Sequence, residues 1–205
     1  MIEKEFSIQT RVSDKGRKEG ASVGKLVFNG IRFEDSDKPK FKQLFNTWKA
    51  YKESGEFVEQ RANIPEGLTE GIVAKDIRGI FRKGKKNDKK SKFPTTKFDC
   101  YCSLENKIVE VKACSIPNDL TSWSPKPYFD VFYFVDFSSM DGNYEIYKIE
   151  TTDSEILGET VTAKGTTFRQ QVANGRRPRF SVFEKYIIPK YKCSGKPIFC
   201  GDLFA

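Results

Sequence analysis

The sequence predicts an α/β fold: a single domain in which helices flank a mixed central β-sheet. Two segments repeat apolar residues at helical spacing, and several shorter ones have the alternating or continuous apolar pattern of strands. The length of 205 residues suits one hydrophobic core, and no internal repeat divides the chain. The elements follow in chain order.

Two strands are predicted near the N-terminus, over 6–11 and 25–33, around a polar loop that contains glycine. A helix is predicted over 39–54, where Pro39 suits the first turn and Gly55 the end. The apolar stripe of this helix consists of Phe41, Leu44, Phe45, Trp48 and Tyr51.

A second helix is predicted over 64–82. Asn63 and Glu66 have the spacing of a capping box, and Pro65 falls in the first turn. The apolar stripe of this helix consists of Val73, Ile77, Ile80 and Phe81. The lysine-rich segment 82–92 has nothing to bury and indicates an exposed basic loop.

The second half of the chain predicts further strands. Four candidates cover 96–103, 107–113, 128–137 and 144–150. The third of these is almost continuously apolar, as expected for a strand covered on both faces. A short helix over 167–172, a strand over 179–188 and an irregular tail from Pro189 complete the prediction.

Composition excludes several kinds of chemistry. The chain has no histidine, which removes serine–histidine triads, HNH nucleases and HExxH metalloproteases together. The odd count of five cysteines argues against a disulfide framework, and the spacing of Cys100–Cys102 and Cys193–Cys200 does not match usual zinc sites, so no zinc is expected.

The N-terminus lacks the apolar core of a signal peptide, which predicts a cytoplasmic protein. The formal charge of +8 favours an anionic partner such as nucleic acid.

The chemistry centres on Asp99, Glu110 and Lys112. Along a strand, Glu110 and Lys112 point to the same face, and the polar segment 103–107 has the length of a hairpin turn that would bring Asp99 beside Glu110. Two carboxylates and a backbone carbonyl, that of Val111, can hold Mg²⁺, while the lysine orients water and offsets phosphate charge. The alternative is an ion pair on a solvated strand face.

Two sequence blocks, PTTKFDCYC (94–102) and KIVEVKACS (107–115), resemble the PD-(D/E)XK phosphodiesterase superfamily. Three further blocks are similar to type II restriction endonucleases in particular: NIPEGLTE (63–70), the loop 115–125 with its following strand, and NGRRPRFSV (174–182). The resemblance implies a restriction-endonuclease-like fold, magnesium ligation by Asp99 and Glu110, and a catalytic Lys112. Phe98 stands where the motif has proline.

The resemblance also implies a division of the domain. The catalytic core is expected over about 60–150 and a DNA-recognition segment over about 165–188. Glu70 is a fourth active-site candidate, because related folds carry a helix glutamate near the metal. A carboxylate on an apolar stripe is also costly without a cationic partner. The alternative is that Glu70 reaches solvent at the edge of the stripe or interacts with the helix dipole.

The candidates for DNA contact fall into three groups. Arg176, Arg177 and Arg179, with Asn174 and Gln171, have side chains suited to base edges or phosphates, although a solvated turn would show the same pattern. Ser122 and Ser124 are predicted to line a DNA-binding groove just past the catalytic strand. Trp123, which lies between them, belongs either to this groove or to the hydrophobic core. Phosphate contact without base reading, or mere solubilisation, is predicted for Lys83, Lys85, Lys86, Lys89 and Lys90.

The function that accounts for these features is site-specific cleavage of double-stranded DNA by a magnesium-dependent homodimer, because a two-fold protein matches a palindromic site. Two alternatives remain open at this point: a structure-selective or repair nuclease using the same three residues, and a non-catalytic DNA-binding module in which Glu110 and Lys112 merely pair.

Overall fold

A computed structural model describes residues 1–11, 23–55, 63–84 and 98–205. Its strands are β1 (Ile2–Arg11), β2 (Val23–Arg32), β3 (Ile80–Lys83), β4 (Cys100–Cys102), β5 (Lys107–Cys114), β6 (Leu120–Ser122), β7 (Val131–Asp136), β8 (Asn143–Ile149), β9 (Arg179–Ser181) and β10 (Phe199–Asp202). Its helices are α1 (Lys38–Glu53), α2 (Glu66–Asp76), α3 (Asp153–Ile156) and α4 (Phe168–Ala173), with a 3-10 turn at Asp35–Asp37 and a π-helical turn at Phe183–Ile187.

Within the described residues, eight strands form one sheet in the order β1-β2-β3-β4-β5-β7-β8-β10. Among these eight described strands, β5 and β7 alone pair in parallel, and the other neighbours are antiparallel. Strands β6 and β9 form a separate two-stranded ribbon, here called the ribbon. The predicted α/β class with a mixed sheet flanked by helices is confirmed.

An apolar core covers each face of the sheet. On one face, α1 and α2 pack against the helix-side core, which includes Phe45, Trp48, Leu68, Val109, Val111 and Tyr133. On the other face, the ribbon and the π-helical turn cover the ribbon-side core, which includes Ile108, Trp123, Phe132, Phe134, Phe180 and Tyr186. Strand β7 contributes alternate residues to both cores, as its continuous apolar sequence predicts.

The second helix is shorter than predicted. It begins at Glu66 with Pro65 as its N-cap, without a side-chain capping bond, and ends at Asp76. The chain then turns through Gly79, whose φ of +80° is accessible to glycine at little cost, and Ile80–Lys83 becomes β3. The predicted extension to 82 was wrong because Ile80 and Phe81 pair with β4 instead of continuing the helical stripe.

Two predictions in the C-terminal part also need correction. The strand predicted over 179–188 ends at Ser181, whose Oγ accepts a hydrogen bond from the Glu184 backbone N–H at 3.2 Å, and the chain continues as the π-helical turn. The tail is not wholly irregular, because Phe199–Asp202 pairs with β8 as an edge strand. Strand β6 lies in a segment that the sequence indicated as loop.

No helix in the described part of the chain is long and apolar enough to cross a membrane.

Candidate active site

The predicted hairpin is confirmed as β4 and β5. The ladder pairs Cys100 with Val109 and Cys102 with Lys107. The turn at 103–106 includes Asn106 at a φ of 54°, a left-handed conformation that asparagine tolerates. Asp99 lies immediately before β4, and its Oδ2 accepts a hydrogen bond from the backbone N–H of Val111 at 2.8 Å. The hairpin thereby holds the aspartate against the strand that carries Glu110.

Glu110 and Lys112 lie on the same face of β5 and form an ion pair through Glu110 Oε1 and Lys112 Nζ. Glu110 is buried, with 8% of its surface exposed. Burial opposes the positive charge of Lys112, but Glu110 and Asp99 outweigh that effect, so the pKa of the ammonium is raised. The solvated surface pair considered from the sequence is therefore not what the structure contains.

Asp99 is in an environment that disfavours its charge. Burial first, and the Glu110 carboxylate second, raise the pKa of Asp99 to about 8. Glu70 adds to the rise, while Lys112 and the Val111 N–H oppose it. Carboxyl groups crowded into a shielded place repel one another, and a cation between them would relieve that repulsion.

Glu70 is buried on α2, with 9% of its surface exposed, and pairs with Arg82 on β3 at 2.6 Å between Oε2 and Nε. Burial raises the pKa of Glu70, and Arg82 opposes the rise. The structure thus gives Glu70 the cationic partner that its burial demands. The sequence prediction missed Arg82 because it assigned this residue to the end of a helix; along β3, alternation places Arg82 on the same face as Ile80, towards α2.

The described residues include no group of three or more histidine, cysteine, aspartate or glutamate side chains arranged to hold a metal ion. The donor set at the hairpin is nevertheless of the right kind for a hard divalent cation, because Asp99 and Glu110 supply carboxylate oxygens and Val111 a carbonyl. Burial and the neighbouring Glu110 carboxylate together raise the pKa of Asp99, and a cation bound there would relieve both effects.

Trp123 is the second residue that the sequence left undecided. It belongs to the core, with no exposed surface, and its ring centre lies 5.3 Å from Lys112 Nζ. Its carbonyl accepts a hydrogen bond from Arg177 Nε at 3.1 Å. Arg177 also lies close enough to act on the pKa of Lys112, which it lowers against the dominant carboxylates. The segment 174–179, here called the arginine segment, therefore lies near enough to the hairpin to act electrostatically on Lys112.

The other predicted DNA contacts are placed as follows. Asn174, Arg176, Arg177 and Arg179 are exposed, and Gln171 is half-buried within α4. The hydroxyl of Ser122 is buried, and no described residue bonds to it. Ser124 Oγ is engaged locally, accepting from the backbone N–H of Lys126 at 3.3 Å. Lysines 85, 86, 89 and 90 lie outside the described residues.

A mixed sheet with a buried hairpin carrying Asp99, Glu110 and Lys112 defines a candidate nuclease of the PD-(D/E)XK type. Comparison with known proteins identifies the group: a family model for Bsp6I restriction endonuclease matches residues 33–189. The type II restriction enzyme Bsp6I of Bacillus sp. (strain RFL6) is 29% identical over 161 residues, which cover 76% of this chain and 85% of that relative. The chain belongs to the Bsp6I restriction endonuclease family.

The comparisons thus confirm the predicted function, that of a restriction endonuclease, an enzyme class that acts on double-stranded DNA and generally uses divalent metal ions. No solved structure matches the chain.

Proposed function

We propose that the enzyme hydrolyses phosphodiester bonds of double-stranded DNA at a short specific sequence, with Mg²⁺ as its cofactor and Asp99, Glu110 and Lys112 as its catalytic centre. The observation that carries the proposal is the convergence of two carboxylates and an ammonium on one hairpin, shielded from solvent. Burying charged groups is expensive, so a purely structural hairpin would gain stability from apolar residues at these positions.

The roles follow from chemistry and position. Asp99 and Glu110 would hold Mg²⁺ together with the carbonyl of Val111, and the ion would stabilise the negative charge that develops on the phosphate. The Val111 N–H keeps one oxygen of Asp99 fixed at 2.8 Å, so the other oxygen is left for a ligand. Lys112, held in its charged form by the two carboxylates, orients the attacking water and offsets phosphate charge.

Glu70 and Arg82 are proposed as a second layer of the same site. Arg82 fixes the Glu70 carboxylate at 2.6 Å, and Glu70 acts electrostatically on Asp99. We propose that Glu70 adds to the negative potential that attracts the metal ion, while Arg82 keeps the carboxylate ionised and in place. Loss of Arg82 would leave a buried carboxylate without its partner.

DNA recognition is proposed for the arginine segment. Arg176 and Arg179 are exposed on either side of Arg177, which bonds to the Trp123 carbonyl and acts electrostatically on Lys112, so DNA bound at these arginines would lie close to the hairpin. Asn174, Gln171, Ser122 and Ser124 remain candidates for the same groove. Phosphate contact is proposed for Lys85, Lys86, Lys89 and Lys90, whose side chains suit phosphates and not base edges.

We also propose that one domain spanning 1–205 acts as a homodimer, with its catalytic core over about 60–150 and its recognition segment over about 165–188. One copy has one catalytic hairpin, and two copies related by a two-fold axis would cut both strands of a palindromic site. Sedimentation of the protein with and without a cleaved duplex measures the number of copies, and a single copy on cleaved DNA would contradict this part.

The deciding experiment is digestion of long DNA by the purified protein with Mg²⁺ or with chelator. Discrete fragments in Mg²⁺ and none in chelator are the expected result. A smear in Mg²⁺ would contradict sequence-specific cleavage, and equal cleavage in chelator would contradict the need for a metal ion.

Thermal unfolding gives a second readout, because a ligand that binds the folded state raises the unfolding temperature. Mg²⁺ should raise the unfolding temperature of the wild type but not that of Asp99→Ala.

A further inference from the structure

Lys112 has two neighbours of different kinds. Its ammonium donates to Glu110 Oε1, and the centre of the Trp123 ring lies 5.3 Å from the same nitrogen. A lysine ammonium at this distance from an indole face is attracted by the electron density of the ring. The carboxylate is one of the proposed metal ligands, whereas the ring takes no part in metal or phosphate chemistry.

The Trp123 ring is held from several sides. It stacks on Phe180 of β9 with ring centres 5.3 Å apart and an interplanar angle of 12°, and it meets Phe132 of β7 edge-on at 5.1 Å. The backbone N–H of Trp123 donates to the Pro178 carbonyl at 3.0 Å, and its carbonyl accepts from Arg177 at 3.1 Å. A fully buried ring with these contacts has a fixed position within the core.

The Lys112 ammonium needs a contact of fixed position because the four-carbon stem of lysine is flexible. An ammonium held only by Glu110 would follow that carboxylate whenever the carboxylate turned to a metal ion. Contact with a ring face uses no hydrogen-bond donor, so the N–H groups that do not donate to Glu110 are left for water and phosphate. We propose that Trp123 is a positioning residue, which holds the Lys112 ammonium in place for cleavage; this inference rests on the proposed catalytic role of Lys112.

The first test compares Trp123→Leu and Trp123→Phe in single-turnover cleavage with enzyme in excess. The plateau rate reports the chemical step, and the half-saturating enzyme concentration reports DNA binding. We expect the plateau to fall about tenfold for Leu, which has no ring, and about two- to threefold for Phe, a weaker cation partner. Half-saturation should stay within about twofold. An unchanged plateau for a folded Trp123→Leu protein would overturn the proposal.

Trp48 provides a matched control. It is buried in the helix-side core, and Lys52 Nζ lies 5.3 Å from its ring centre, the same distance as in the Trp123 pair. Trp48→Leu and Trp48→Phe remove the same kind of contact on the opposite face of the sheet from Lys112, so they should lower stability but leave the plateau rate unchanged. An equal fall in both series would mean that loss of packing, and not loss of the lysine contact, slows cleavage.

A double-mutant cycle separates positioning from a general structural role. In a Lys112→Met background, Trp123→Phe should have no further effect on the residual cleavage rate, because there is no ammonium left to position. The same proportional loss in both backgrounds would overturn the proposal. Should Lys112→Met itself cleave normally, the proposed function fails first, and the cycle shows which of the two ideas is wrong.

Fluorescence tests the contact without cleavage. The chain has two tryptophans, so Trp48→Phe leaves Trp123 as the sole indole and Trp123→Phe leaves Trp48. Adding Lys112→Met should change the emission of Trp123 and leave that of Trp48 unchanged. Trp123 emission that does not respond to Lys112→Met would contradict the contact. Trp123→Phe should fold, because in the described part of the chain the indole Nε1 makes no hydrogen bond that phenylalanine would lose.

Discussion

The β4–β5 hairpin and the β6–β9 ribbon with its arginine segment hold charge in opposite ways. The hairpin shields its three candidate catalytic groups from solvent and pairs them, Glu110 with Lys112 and Asp99 with a backbone N–H. The ribbon buries aromatic side chains such as Phe180 and leaves the cations Arg176 and Arg179 exposed. Chemistry on one phosphate needs a few groups fixed within a fraction of an ångström, whereas binding an extended polyanion needs solvated cations that can adapt.

The largest expected effect follows from removing a carboxylate of the hairpin. Asp99→Ala and Glu110→Ala should each abolish cleavage, because each would lose a proposed metal ligand, while folding and DNA binding in chelator should be largely retained. Gel-based cleavage and a binding titration measure the two properties on one preparation. Asp141→Ala, which changes an exposed loop aspartate, is the control and should cleave normally. A fully active Asp99→Ala protein would contradict the catalytic assignment.

Removing the lysine should have a smaller but still large effect. Lys112→Met keeps the stem and removes the charge, and we expect cleavage to slow by at least about a hundredfold, the usual scale for a positioned acid–base or electrostatic group. The Mg²⁺-induced rise in unfolding temperature should survive, because the metal ligands are intact. Near-normal turnover would return Lys112 to the role of an ion-pair partner.

The hairpin could be predicted from the sequence because its information is local. Alternation along Val109–Ala113 fixes which side chains share a face, and the short polar turn fixes the partner strand, so the position of Asp99 beside Glu110 needed no distant contact. The same holds for α1, whose apolar stripe and terminal signals lie within one segment.

The ribbon could not be predicted in the same way. Strand β6 has three residues, and its partner β9 lies nearly sixty positions further along the chain, so no local pattern distinguishes it from a loop. The pairing of Arg82 with Glu70 depends on β3, whose Ile80 and Phe81 also fit a helical stripe. The contact of Trp123 with Lys112 requires both the ribbon and the sheet. Each of these features is set by tertiary contacts.

A third prediction tests whether the ribbon reads sequence. Arg179→Ala should weaken binding to the preferred duplex by about 1–3 kcal/mol, the cost of losing a bidentate base contact, and weaken binding to unrelated DNA much less. Titrations at several salt concentrations on both duplexes measure the difference. Arg78→Ala, an exposed arginine between α2 and β3, is the control and should change neither. Equal weakening on both duplexes would make the arginine segment a phosphate clamp.

The last expected effect is on stability and not on cleavage or DNA binding, and it bears directly on the contrast between buried and exposed charge. The pKa of Asp99 is raised to about 8 in the folded protein, from an ordinary value of 3.8. Between these values the unfolded chain loses this proton while the folded chain keeps it, so the free energy of unfolding of the metal-free enzyme falls as pH rises towards 8 and then levels. Asp99→Asn can still accept the Val111 hydrogen bond but has no proton to lose.

Asp99→Asn should therefore be more stable than the wild type in chelator. The difference in unfolding temperature between the two proteins should be small at pH 5 and larger at pH 8.5. Each kcal/mol of added stability corresponds to a rise of about 2–4 °C in unfolding temperature. Asp141→Asn is the matched control, because hydrogen bonds from Ser139 and Asn143 lower the pKa of Asp141 from 3.8 to about 2. The contribution of Asp141 to the free energy of unfolding is therefore lost only as pH falls from about 4 towards 2, and it stays constant between pH 5 and 8.5. Mg²⁺ should stabilise the wild type at pH 8.5 and leave Asp99→Asn unchanged, because binding requires the ionised carboxylate. If the stability difference between Asp99→Asn and the wild type does not grow with pH, the prediction is wrong. The hairpin would then hold Asp99 ionised without a metal, and Lys112 alone would offset the unfavourable burial of its charge.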